Sequence, residues 1–292
     1  VTVGSEEETV ESEEEAVGSE DTQEPEKGLT DLVEKQSDDA VTEETPAKAE
    51  GDNSWTVALY MCGSDLERDN SFASADIREM LMADIPDNVN LLVLTGGAGQ
   101  NGWHWQGNED PDDLWGEAKD VGYVTPEGTQ IWRITHHKMT LLKTYDKYQD
   151  LRDEALMEEF FKYAVDYADA KHMMSLFWNH GGGPIKGAEY AQAEDESDLG
   201  YAKLNDIEKA LENANKYRKE KITTHPDKFD FIGFDNCLMG SIEIAYALSD
   251  TAYYLIASEE VEPSGGWNYY WLEVLDEVLD KDKTTVSETI TK

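Results

Sequence analysis

Five short apolar runs, each closed by a small or polar residue, constrain the fold of this chain more than anything else in it. They are residues 55–61 (WTVALYM), 88–95 (NVNLLVLT), 173–179 (MMSLFWN), 229–234 (FDFIGF) and 252–258 (AYYLIAS). Most are continuous rather than alternating, which is the pattern of strands buried on both faces. Between them lie stretches with apolar residues at helical spacing. One runs from the turn Gly63-Ser64-Asp65 to Asp84, and one covers residues 150–168, with Leu156, Phe160, Phe161, Ala164, Val165 and Tyr167. Others cover 204–219, 241–248 and 271–279. Strands alternating with helices predict an α/β fold with a mostly parallel central sheet flanked by helices.

Two segments fall outside that rhythm. Residues 99–145 carry Trp103, Trp105, Trp115 and Trp132 among Gly, Asp and Pro. Within them QIWRIT (130–135) alternates, which predicts a hairpin with one wet face in an added hairpin-rich lobe. The tryptophans suit either core packing of that lobe or a carbohydrate-stacking surface. Residues 184–203, rich in Ala, Glu and Asp, read as a loop.

Charge divides the chain. The formal net charge is −40, and residues 1–50 hold 18 Asp and Glu against 3 Lys, with no aromatic residue. Such a segment buries too little apolar surface to offset its ordering entropy. Residues 1–53 are therefore expected to be an acidic, disordered linker, and 54–292 the folded domain. The charge excludes a nucleic acid partner, whose phosphates it would repel. No apolar run is long enough for a membrane helix, and no signal peptide is visible. The chain does not begin with Met, and residues 284–292 read as a helix cut short. A trimmed piece of a larger precursor is the expectation.

The chemistry sits at two strand ends. The run FIGFDNCLM (231–239) delivers Cys237, and SLFWNHGGG (175–183) delivers His180. A thiolate needs a nearby base or cation to react at neutral pH. Strands ending in His and Cys place both groups on the carboxyl edge of a parallel sheet, where open α/β sheets put their sites. A helix beginning at Gly240 would further favour the thiolate. The glycines after His180 admit a substrate backbone, and the amides of Gly181 and Cys237 suit an oxyanion. A phosphate loop is the rival reading of those glycines, but no Lys-Ser/Thr follows them. Cys237 also fits a buried structural thiol. The other cysteine, Cys62, leaves neither a disulfide scaffold nor a zinc spacing. A Cys62–Cys237 disulfide would consume the nucleophile.

The segments NHGGG (179–183) and FDNCLM (234–239), with ALYMCGSDLE (58–67) and SEEVEPSGGWNY (258–269), resemble the clostripain-like family of bacterial cysteine peptidases. That family is related to caspases, legumain and gingipains. The resemblance implies a caspase-like fold and a secreted or surface-displayed endopeptidase that cleaves after Arg or Lys. It gives Cys237 the nucleophile role, His180 the general base role, and Asp235 the role of acceptor for the basic side chain. A helix N-cap is the other reading of Asp235. No third member of a triad stands out. The resemblance also implies self-processing in the segment between His180 and Cys237, where Lys186 and Lys203 are the candidates. No cofactor is assigned; acidic residues leave calcium open, but no EF-hand spacing is present. The expected partners are protein or peptide substrates. The non-enzymatic alternative is a surface-displayed adhesion module on the same fold.

Overall fold

The computed structural model describes residues 47–99, 102–103, 124–125, 128–146, 148–192, 199–222 and 228–275. The acidic segment 1–46, Trp105, Trp115 and the expected helix at 284–292 lie outside the described residues. The core is a seven-stranded sheet in the order β4-β3-β2-β1-β5-β8-β9. Its strands are β1 (Gly51–Cys62), β2 (Val89–Gly96), β3 (Gln130–Thr135), β4 (Lys138–Thr144), β5 (Ala170–Trp178), β8 (Phe229–Asp235) and β9 (Ala252–Ala257). β1 pairs in parallel with β2 and β5, β5 with β8, and β8 with β9, while β2–β3 and β3–β4 are antiparallel. A separate antiparallel pair joins β6 (Ala188–Gln192) to β7 (Leu199–Ala202).

The helices cover both faces of the sheet. α1 (Ser64–Asn70) and α2 (Phe72–Met82) follow β1, and α3 (Glu154–Tyr167) precedes β5. A single turn, α4 (Gly183–Lys186), precedes β6; α5 (Leu204–Lys221) precedes β8; and α6 (Ile242–Ala247) precedes β9. Residues Tyr269–Val274 form a 3₁₀ turn. The period of two along β1 sorts the layers. Ala58, Tyr60 and Cys62 pack with Phe160, Phe161 and Leu211 on one face. Val57, Leu59 and Met61 pack with Ile77, Met80 and Leu272 on the other. This is why the run reads as continuously apolar. Tyr60 is fully buried, and its hydroxyl donates to the Leu151 carbonyl at 2.9 Å. Its ring meets those of Phe160, Phe161 and Phe177. Each such side chain contributes about 1.5–3 kcal/mol by leaving water.

Several expectations are corrected. The helix expected through Asp84 breaks at Ser71, which adopts φ 57° and closes α1 by donating its N–H to Glu67. The Glu67 carboxylate then accepts from Ser74 N–H and O–H at the start of α2. β1 extends back to Gly51, ahead of Ser54, and Asn90 binds both backbone groups of Ala49 before it. The β3–β4 hairpin forms, but β3 has no wet face: Gln130–Ile134 are all buried, because β3 pairs with β2 inside the main sheet. Trp103 and Trp132 are core residues. The segment 184–203 is not a loop throughout, since it holds α4, β6 and β7. Its strands carry small residues such as Ala188, Ala191 and Ala202, with weak β-propensity; burial against the core and the Tyr190–Tyr201 ring pair hold them. The helix expected over 271–279 starts as the 3₁₀ turn capped by Asn268, and residues 276–279 lie outside the described residues.

Candidate active site

Three neighbouring strands end at one place. The register aligns Met61 with Trp178, and Trp178 with Asp235. Two residues further along, β5 delivers His180 and β8 delivers Cys237 at the same height. Adjacent strands lie roughly 4.8 Å apart, so the imidazole and the thiol start from neighbouring positions on the carboxyl edge. The two loops touch backbone to backbone: a Cβ at Gly181 would lie 2.1 Å from the Cys237 carbonyl oxygen. Asn236 ties them further, donating to the His180 carbonyl at 3.2 Å and to Glu189 Oε1 at 3.3 Å. Glu189 is fully buried, and desolvation holds its carboxyl well above the usual range.

Cys237 is a partly exposed free thiol, and Cys62 is a buried one, so the two are not bridged. Burial pushes the Cys62 thiol up, which suits a packing residue. The helix expected to begin at Gly240 starts later. Ser241 caps α6 by accepting from the Ile244 N–H, and Cys237 lies on a tight turn before it, next to Leu238 at φ 64°. Cys237 is therefore not in the first turn of α6. The Cys237 turn is fixed instead from the side. Leu238 N–H donates to Glu260 and Gly240 N–H to Ser258, both in the loop after β9.

Asp235 does not cap a helix. It ends β8 almost fully buried and accepts the Trp267 N–H at 3.1 Å and the Tyr269 hydroxyl at 3.0 Å. Gly266 permits that approach, since a Cβ there would lie 2.8 Å from Asp235 Oδ1. Desolvation pushes the Asp235 carboxyl up to about 7, with neighbouring Glu262 adding to the effect. Asp76, which accepts from the Trp178 indole at 2.6 Å, is pushed up to about 8 by burial and by Asp235. Among the described residues no basic side chain bonds to Asp235, Glu262 or Asp76. Lys186 and Lys203 are exposed and flank the β6–β7 hairpin at its two ends. Among the described residues no group of three or more His, Cys, Asp or Glu is placed to hold a metal ion.

One contact went unread in the sequence. His180 Nε2 lies 3.1 Å from Asp65 Oδ1, in the first turn of α1 just after β1. The available signal was that Asp65, like His180, follows directly on an apolar strand.

The Clostripain family model matches residues 59–292. Clostripain of Hathewaya histolytica is 24% identical over 253 residues, covering 79% of this chain and 43% of that protein. A secreted C11 cysteine protease from Bacteroides thetaiotaomicron, solved with an irreversible peptide inhibitor, is similar with TM-score 0.53 and 24% identity. That match covers 81% of this chain and 57% of the other. A second structure from that bacterium, "iotapain", gives TM-score 0.54 at 18% identity, covering 84% and 61%. An inactive zymogen C11 protease from Parabacteroides distasonis gives 0.50 at 19%, covering 81% and 55%. The chain thus spans about half the length of these relatives. The family match covers most of the chain and includes all three strand ends, and the chain belongs to the clostripain family of cysteine proteases.

Proposed function

We propose that this chain is the peptidase unit of a secreted or surface-displayed cysteine endopeptidase that cleaves after Arg or Lys. The observation that carries the reading is the matched register that brings His180 and Cys237 to one height on adjacent strand ends. His180 takes the proton of the Cys237 thiol, the sulfur attacks the scissile carbonyl carbon, and the amides of Gly181 and Cys237 hold the oxyanion. The C–N bond breaks as His180 protonates the departing amine, leaving a thioester. Water then attacks the thioester; His180 takes its proton, and the carboxylic acid and the thiol are released.

The buried carboxyl of Asp235 and the half-buried one of Glu262 support a basic side chain as the preferred residue before the cut. An Arg or Lys entering beside them would meet carboxyls to which no cation of the described residues is bonded, and would favour their ionised form. The exposure of Lys186 and Lys203 supports self-processing at one end of the hairpin. That no helix of the described residues is long and apolar enough to cross a membrane is compatible with secretion.

The test is labelling by peptides that end in Lys, Arg or Gln and carry a thiol-reactive group. Adduct mass should fall on Cys237 for the Lys and Arg peptides and be absent in Cys237→Ala. His180→Ala should lose hydrolysis by about 10³-fold or more. Equal labelling by the Gln peptide would remove the basic preference, and hydrolysis by Cys237→Ala would remove the mechanism.

A further inference from the structure

We infer that Asp65 is a positioning residue: its carboxylate holds His180 as the Nε2–H tautomer, leaving Nδ1 as the nitrogen that exchanges protons in the reaction. The inference rests on the reading of His180 as the acid–base group. A carboxylate only accepts hydrogen bonds, so the proton in the 3.1 Å contact sits on His180 Nε2. In the neutral ring the lone pair is then on Nδ1, and Nδ1 is the atom that takes a proton from water and gives one to the leaving amine.

The surroundings fix this arrangement from two sides. Asn179, directly before His180, donates to Ser64 Oγ at 2.8 Å and also to the Cys62 carbonyl. One side chain therefore pins the end of β5 to the turn that carries Asp65. Ser64 itself adopts φ 47°, and Gly63 N–H donates to Gly96, so the turn has a fixed direction. Asn179 Oδ1 accepts the Tyr190 N–H at 2.8 Å, and the Tyr190 ring stands edge-on to the imidazole, 83° between planes. The imidazole is thus held between Asp65 and Tyr190. With β1, β5 and β8 adjacent in the sheet, carboxylate, imidazole and thiol follow one another across three strand ends. An acid in the first turn of α1 also complements the helix dipole; that role needs no contact with His180 and predicts no change in its tautomer.

The experiment uses the full chain with Asp65→Asn, Asp65→Glu and His180→Ala. With Lys and Arg peptides, Asp65→Asn should lower kcat by about 10- to 10²-fold, the worth of one charge-assisted hydrogen bond, while KM moves less than about twofold. Asp65→Glu should restore part of the loss. Separately, spectra of ¹⁵N-histidine protein in a Cys237→Ala background should show His180 as Nε2–H, its signal identified by its loss in His180→Ala. Asp65→Asn should shift that signal toward the Nδ1–H form. An Nδ1–H signal with Asp65 intact overturns the inference without any substitution at Asp65. So does a kcat for Asp65→Asn within about twofold of wild type while His180→Ala is inactive. If His180→Ala keeps wild-type rates, the underlying reading of His180 is what fails.

Discussion

Replacing Asp235 with Asn removes a charge from a buried position and keeps the side chain's size. Desolvation first, then Glu262, moves this carboxyl from the usual 3.8 up to about 7, against the opposing hydrogen bond from Trp267. The folded chain therefore holds this proton more tightly than the unfolded chain does. The stability it contributes is complete below about pH 4 and is lost as pH rises through about 7. At about 1.36 kcal/mol for each factor of ten in proton affinity, the whole effect is about 4 kcal/mol. Between pH 5 and pH 8 the part lost is about 2–3 kcal/mol. Asn cannot ionise and escapes that loss. It keeps one oxygen for the Trp267 N–H or the Tyr269 hydroxyl, and leaves the other donor short of a partner, at a pH-independent cost of about 1–2 kcal/mol. Urea unfolding at pH 5 and pH 8, with both forms in a Cys237→Ala background to prevent self-cleavage, measures the difference directly. The variant should gain about 2–3 kcal/mol on wild type between the two pH values. A gap that is the same at both would refute the burial argument. In active protein the same substitution should lower kcat/KM on Arg and Lys peptides far more than on a Gln peptide. An unchanged ratio would move the specificity role elsewhere.

Gly181→Ala should cut peptide hydrolysis at least about 10²-fold, because a methyl placed 2.1 Å from the Cys237 carbonyl must push the His180 and Cys237 loops apart; steady-state rates and a melting curve separate this from unfolding. Cys62→Ser should keep activity within about threefold and cost about 1–2 kcal/mol, since the Cys62 thiol already points to the Tyr190 carbonyl at 3.6 Å and a hydroxyl can bond there; denaturant unfolding checks it. On incubation, wild type should acquire a new terminus after Lys186 or Lys203 and Cys237→Ala should not. Mass spectrometry of termini decides this, and a wild type that stays intact while active counts against self-processing.

The parallel sheet was legible in sequence because burial on both faces writes itself as unbroken apolar runs such as residues 55–61. Cys237 and His180 stood out because each follows such a run, and the carboxyl edge of a parallel sheet is a place that sequence order alone defines. Residues whose role depends on what lies beside them were not legible in that way. Asp65 follows an apolar strand, but that alone does not set it apart from the first acid of a surface helix; its place beside His180 comes from the pairing of β1 with β5. Asp235 read as an N-cap or a pocket acid, and only the return of residues 266–269 over the end of β8 shows how fully it is desolvated. The strands at Ala188 and Leu199 were hidden because small residues with weak β-propensity become strands through burial against the rest of the fold. The helix expected from Gly240 starts at Ile242 because Ser241 caps it, so six residues separate β8 from α6. Sequence by itself determined the apolar strands of the central sheet and the reactive groups at their ends, since both follow from local pattern. The tertiary structure decided which groups meet and which charges are buried, since both depend on residues brought together from separate elements, such as Asp65 with His180 and Asp235 with Tyr269.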